Sequence, residues 1–324
     1  MTDWPAKLAM LGVGLAAFLF VIGLIVLLAS YGPRDRKERF QLLVFMGPGA
    51  ILMTIGMIYP ALRTFQYSFM DAGSTKWVGF ENFTWMFTQP DILIVLRNTA
   101  IWVLIVPLAV VLLGLLYAIL VDNKPGEAFA KSLIFLPMAI SFVGASIIWK
   151  FVYAYKVPSA HQIGLLNQIV IWLGLTPPDG GWLLNSPSNN FFIMLVMVWS
   201  QVGFTLVLLS AAIKAVPQDI IEAARLDGVN AVQMFFRITV PVIRPTLITT
   251  YMTVLLMTLK SFDIVRTMTG GNFNTSVLAT EMYFRSFPGQ QAGQGAALAV
   301  FLFVLVLPAV FFQVRQLRHQ KEIR

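Results

Sequence analysis

Between two long apolar stretches the chain places Ile221-Glu222-Ala223-Ala224-Arg225-Leu226-Asp227-Gly228, followed by VNAVQMFFRITV and Pro241. Acids, a base and a glycine at these spacings suit docking to a partner more than bond breaking. A second set of functional groups lies upstream and downstream of this loop. Ser200, Gln201 and Phe204 precede it, and Thr253, Met257 and Thr258 come after it. Hydroxyls, an amide and an aromatic ring are what a neutral polyhydroxylated ligand requires. The same small hydroxylated residues also serve as packing contacts between membrane helices, bonding to backbone or across helices; from the residues alone both readings stand.

Catalytic chemistry is poorly supplied. No cysteine is present, and the two histidines are His161 and His319, far apart on separate loops. Thiolate catalysis, disulfides and cysteine-bound metal are excluded, and no metal site is expected. The sequence contains no G-x-x-x-x-G-K-[ST] phosphate loop, no G-x-S-x-G elbow and no H-E-x-x-H pair. No cofactor is expected on this chain.

The elements that must position these residues are set by hydropathy. The 324 residues are 58% hydrophobic and 12% charged, with a mean hydropathy of +0.77, far too apolar for a water-soluble domain. Apolar runs fall at about 8–29, 41–62, 98–121, 130–153, 190–213, 242–263 and 292–313. Each suits the roughly 30 Å hydrocarbon core crossed by a helix. The expected fold class is therefore an all-α polytopic membrane protein with about seven transmembrane helices. The first run lacks the basic flank and cleavage pattern of a signal sequence and is kept as a membrane helix. Residues 1–40 then form an N-terminal helix and basic turn, and 41–324 a transmembrane domain carrying the loop at 214–241.

The net charge of +8 reflects topology rather than nucleic-acid binding, because the bases cluster beside apolar runs. Arg34, Arg36, Lys37 and Arg39, then Lys124 and Lys131, then Lys214, Arg225, Arg237 and Arg244, then Arg315, Arg318, Lys321 and Arg324 share one side if the helices alternate. By the positive-inside rule the N-terminus lies outside and the C-terminus in the cytoplasm. The outer loops, rich in Trp77, Trp85, Trp182 and prolines, read either as a docking surface or as headgroup anchoring.

Within the loop, Pro217 suits a first helical position, Asp219 and Glu222 suit the positive helix end, and Ile220, Ile221 and Ala224 form an apolar stripe. Gly228 supplies a left-handed stop. Residues 217–227 read as one short amphipathic helix and 230–240 as a second. Their apolar faces lie on lipid or in a groove on a cytosolic partner. Pro107 and Pro137 fall inside helices and favour kinks. Lys260 and Asp263 sit near the outer end of the sixth helix, where they anchor at the interface or act at an outer gate.

Glu222-Ala223-Ala224, Asp227-Gly228 and Ile238-Thr239-Val240-Pro241 together resemble the EAA loop of binding-protein-dependent ABC importers, with Val229 and Val240 as mild departures. YPALRTFQYSF, WVGFENF, FLPMAISFVGASIIWKFVY, IGLLN and SFDIVRTMTGG extend the resemblance to the sugar-importer branch, the maltose and α-glucoside class of permease subunits. The large external insertion of the enterobacterial maltose relative is missing. The resemblance implies a type I ABC importer permease fold in the inner membrane of a prokaryote. It also implies four kinds of partner: a second, non-identical permease, two ATP-binding subunits that hold ATP and magnesium, an extracytoplasmic sugar-binding protein, and the lipid bilayer. By the same resemblance Glu222, Ala223, Ala224, Asp227 and Gly228 couple to the ATPase, and Ser200, Gln201, Phe204, Met257 and Thr258 line the sugar path, to which Thr253 is added by its helical spacing on the same run. An ion-coupled secondary transporter is the alternative. It would need acids at membrane mid-depth or an inverted repeat, for which the sequence offers little.

Overall fold

The structure is a computed structural model describing residues 4–30, 37–156 and 162–322. The basic residues Arg34, Arg36 and Arg324, with Pro158 and His161 of an outer loop, lie outside the described residues. By its internal contacts the chain divides into two compact units, Met1–Gln66 and Tyr67–Arg324. Among the described residues, six single helices are long and apolar enough to cross a membrane, and one bent pair passes the same test when counted as a single span.

In the first unit, α1 (Trp4–Ser30) is apolar on all sides, as suits a helix surrounded by lipid. Helix α2 (Lys37–Met53) runs through a π-helical turn, Thr54–Ile58, into α3 (Tyr59–Tyr67). Pro60 explains the wide turn. A proline ring meets the carbonyl four residues earlier, here that of Gly56 inside the π segment, and wider winding makes room for it.

The second unit opens with a short hairpin closed by the Met70–Trp77 bridge, followed by α4 (Glu81–Thr88) and α5 (Pro90–Val121). A broken pair, α6 (Glu127–Phe135) and α7 (Phe142–Val152), precedes the short α8 (Leu165–Trp172) and the long α9 (Asn189–Lys214). After the loop helix α10 (Gln218–Leu226) come α11 (Ala231–Gln233), α12 (Val240–Leu259), α13 (Asp263–Met268), α14 (Leu278–Ser286) and α15 (Ala292–Glu322).

Helix α9 is the axis of this unit: 67% of its most apolar window is buried, against 28–33% for α5, α12 and α15. Lipid is as apolar as a leucine side chain, so membrane helices associate through close approach and polar contacts. Two glycines provide the approach. A Cβ on Gly203 would lie 2.4 Å from the Ile134 carbonyl oxygen of α6, and one on Gly114 of α5 would lie 2.5 Å from Thr205 Cγ2 of α9. The core between them holds Trp102, Val106, Ile193, Met197, Val254 and Val265.

Asparagines fasten the end of the unit where α5 and α9 begin. Asn98 Nδ2 donates to the carbonyls of Asn274 (2.7 Å) and Ser276 (3.0 Å), and Asn190 Nδ2 also donates to Asn274 (3.1 Å). Asn189 Nδ2 reaches the Phe273 carbonyl at 2.8 Å. These bonds seat the 272–277 loop on α5 and α9, satisfying carbonyls that lie outside regular structure.

The kink expected at Pro137 within the apolar run 130–153 is present as a full break: α6 and α7 meet at 101°. Pro137 ends α6 through a 3₁₀ turn at Leu136–Ala139, Ile140 is extended, and Ser141 starts α7 by accepting the Gly144 N–H at 3.1 Å. The broken pair nevertheless runs along most of α9. Lys131 of α6 bonds Ser210 near the end of α9, and the Tyr153 hydroxyl after α7 donates to the Phe192 carbonyl near its start. Those points are eighteen residues apart on α9, roughly 27 Å at 1.5 Å per residue. Pro107, by contrast, lies inside the unbroken α5.

Candidate functional site

The loop between α9 and α12 is built by local rules. Val216 is buried after α9 ends, and Pro217, extended at φ −57° and ψ 133°, sits one position before the helix it introduces. At the other end Gly228 adopts φ +74°. Its N–H reaches the Arg225 carbonyl at 3.1 Å, and the Val229 N–H reaches that of Ala224 at 3.1 Å. This is a Schellman stop, with Val229 and Ala224 as its apolar contact, and it matches the stop expected at Gly228.

Beyond the stop, the separate short helix expected over residues 230–240 is corrected. Asn230 Oδ1 accepts the Gln233 N–H at 2.8 Å while Gln233 Oε1 accepts the Asn230 N–H at 3.1 Å, forming a capping box. From Ala231 a single span then continues to Leu259 through a π-helical segment, Met234–Thr239. Pro241 presses on the Arg237 carbonyl inside that segment as Pro60 does on Gly56.

Only Ala224 of α10 is buried and Ile221 is half-buried, whereas Ile220, expected on the same stripe, is exposed. Glu222, Ala223, Asp227 and Gly228 all face outward. Leu226, which is not among the residues expected to couple, is 89% exposed. It stands beside the exposed Ala223 and Glu222 on the face of α10 that turns away from its own chain. Its signal in the sequence is position: three residues after Ala223, four after Glu222, and just before the stop.

The path residues divide. Ser200, Gln201 and Thr258 are buried, Phe204 and Thr253 are half-buried, and Met257 is exposed. Ser200, Phe204 and Gln201 fall within about one turn of α9, and Thr253, Met257 and Thr258 lie on α12, which packs against it. The Ser200, Thr253 and Thr258 hydroxyls each donate to the carbonyl four residues earlier, at 2.8–2.9 Å, leaving their acceptor lone pairs for other groups. Gln201 Oε1, Thr205 Oγ1 and Thr250 Oγ1 are buried with no protein partner. An unpaired buried amide oxygen costs free energy, so Gln201 is suited to a polar ligand or water. Trp199 is engaged elsewhere, edge-on to Trp149 at 5.6 Å, in an aromatic series that continues through Tyr153 and Phe192 to Trp182.

Trp77, assigned to an outer loop from the sequence, is exposed and stacks on Phe69 at 5.3 Å. Trp182 instead donates from Nε1 to Asn167 Oδ1 at 2.6 Å. In the hairpin, N–H donation from Lys76 and Thr75 holds the Asp71 carboxyl below the usual carboxylate range. Lys260 caps the end of α12 and Asp263 opens α13, both exposed.

Among curated proteins, the chain is 46% identical over 281 residues to the osmoprotective compounds uptake permease protein GgtC of Synechocystis, covering 87% of this chain and 100% of that one. It is 40% identical to the alpha-glucoside transport system permease protein AglF of Rhizobium meliloti, covering 84% and 81%. Among solved structures, a bacterial ABC transporter involved in import of the acidic polysaccharide alginate superposes with a TM-score of 0.75 at 23% identity, covering 88% and 98%, which establishes the shared fold. The sequence model of the binding-protein-dependent transport system inner membrane component matches residues 95–321, from within α5 through the loop and into the end of α15, and the chain belongs to that family.

Proposed function

We propose that this chain is the membrane-spanning subunit of an ATP-driven importer of a small neutral sugar of the α-glucoside class. It lines half of the path with α9 and α12 and receives ATP-driven motion through α10. Its partners are a second, non-identical permease, two ATP-binding subunits that carry ATP and magnesium, and an extracytoplasmic sugar-binding protein. The loop lies on the cytoplasmic side with the C-terminus, and residues 41–324 form the transmembrane domain.

The observation that carries the reading is α10 itself: a short helix with a glycine stop, set between two spans, turning Glu222, Ala223 and Leu226 away from its own chain. The sugar class draws support from the 40% identity to an alpha-glucoside permease and from the buried, unpaired Gln201 beside Phe204. A second substrate, an osmoprotective compound, is favoured by the 46% identity to GgtC. Uptake of radiolabelled maltose, trehalose and sucrose, and of osmoprotectants, into vesicles of the full complex decides between them. Uptake lost on ATP depletion but retained with an ionophore supports the ATP-driven reading, and the reverse pattern establishes ion coupling.

The exposed leucine gives a sharper test. Leu226→Glu is expected to weaken binding of the ATP-binding subunits about thirty-fold, the consequence of losing roughly 2 kcal/mol at an interface hot spot. Co-purification and titration measure it. Unchanged affinity at normal insertion removes Leu226 from the interface.

A further inference from the structure

The three helix ends beneath the loop are joined by ions. Lys131 Nζ of α6 lies 2.6 Å from Asp122 Oδ1 at the end of α5 and 2.7 Å from Glu127 Oε1 at the start of α6. Lys131 also donates to Ser210 Oγ of α9, and the Ser210 hydroxyl donates to Asp122 Oδ1 at 2.6 Å. Glu127 Oε1 additionally pairs with Lys214, the last residue of α9, and its Oε2 accepts the Asn123 N–H at 2.9 Å. Two acids and two bases thus balance across α5, α6 and α9, with the Asp122 side chain only 5% exposed.

We propose that this cluster is the mechanical link that carries α10 movement into α5 and α6; the proposal rests on the coupling role given to α10 above. Lys214 is separated from Pro217 by only Ala215 and Val216, so displacement of α10 acts directly on it. Side-chain packing offers α10 no comparable route to α5. An open groove of about 380 Å³, lined by Arg225 of α10 and by Ile119 and Asp122 at the end of α5, takes the place of a packed contact between them. The principal packing partner of α10 is the π-helical segment leading into α12. Motion therefore leaves α10 by two routes, through that segment to α12 and through Lys214 to the cluster.

The receiving element can respond. Helix α6 is nine residues long and ends at the 101° break, with Gly203 of α9 against its far end. The Asp122–Lys131 pair is largely shielded from water, while Lys214, 43% exposed, joins from the rim; further hydrogen bonds to Ser210 and from the Asn123 N–H fix the arrangement of the three helix ends. Lys214 and Glu127 are positioning residues: they touch no substrate and no nucleotide.

Because the chain contains no cysteine, spin labels can be placed at chosen positions in the complete transporter. Gln218→Cys with Phe129→Cys reports α10 against α6, and Gln218→Cys with Phe303→Cys reports α10 against α15. Distances are read with and without ATP bound to the partner subunits. The second pair is expected to shift by about 5 Å, one helical turn, while the first stays constant. Lys214→Met and Glu127→Gln are expected to make the first pair shift or broaden by a similar amount, and Lys214→Arg to preserve it. A purely structural role would lower assembly in all variants without separating the two pairs. If the second pair moves but the first also moves in the parent, or is indifferent to Lys214→Met and Glu127→Gln, the link is overturned and the coupling role stands. If the second pair does not move, coupling through α10 is overturned and the link with it.

Discussion

Gly228→Pro is expected to abolish coupled uptake while leaving the chain in the membrane. The residue adopts φ +74°, and proline is locked near −65°. Proline also lacks the N–H that reaches the Arg225 carbonyl at 3.1 Å. The Schellman stop therefore fails on two counts, and α10 either runs on past Leu226 or unwinds. Either outcome misplaces Glu222, Ala223 and Leu226 together. Gly228→Ala separates the causes: no atom lies within 4 Å of a Cβ there, so only the left-handed conformation is charged, about 1–2 kcal/mol. Vesicle uptake normalised to inserted protein should show less than about a tenfold loss for alanine and near-complete loss for proline. Equal, normal rates in both variants would show that the loop geometry does not matter.

Gly203→Val is expected to fail earlier, at assembly of the fold. A Cβ there lies 2.4 Å from the Ile134 carbonyl oxygen and 2.6 Å from the Phe135 Cα, both backbone atoms that cannot swing aside. Over-packing typically costs about 1–3 kcal/mol, and displacing a helix backbone belongs at or above the upper end. Helix α9 would part from α6 where the broken span turns. The expected result is a lower yield of inserted protein and a thermal midpoint in detergent reduced by roughly 5 °C or more. Gly23→Val in α1, whose site is open and whose backbone is ordinary helix, should leave that midpoint nearly unchanged. A Gly203→Val protein with parental stability would mean that α9 and α6 do not approach this closely.

These glycines also show what a sequence displays and what it hides. Gly228 is legible because its requirement is local: a helix pattern, then a residue able to take positive φ. Gly203 is not, because its constraint comes from Ile134, about seventy positions away, and an apolar run looks the same whichever neighbour it meets. The apolar segments are visible from hydropathy alone, yet hydropathy has no direction, so the sharpness of the turn at Leu136–Ser141 is hidden inside a uniformly apolar stretch. Pro137 hints at it, and Ser141 with Gly144 three residues later marks the new start. The Asn230–Gln233 capping box is a readable pair as well. Pro241 and Pro245 obscure its consequence, since they suggest that a helix begins where one is already under way.

The ion cluster lies at the far limit of legibility. Asp122 and Glu127 read as ordinary polar residues of a turn, and Lys214 as a topology marker. Only the fold brings residues 122–131 against 210–214, and only there does their matched charge acquire a role. Leu226 is intermediate: its place on the α10 wheel can be read, but its exposure cannot, because that depends on which face Ala224 buries.

The decisive measurement is ATP hydrolysis by this chain reconstituted in vesicles with its candidate partner permease and ATP-binding subunits. It is run with and without the binding protein and a panel of disaccharides. Hydrolysis stimulated only when binding protein and a particular sugar are both present is the expected outcome, and it names the substrate. Hydrolysis indifferent to both, in a complex that is fully assembled, would show that this chain does not couple sugar delivery to ATP.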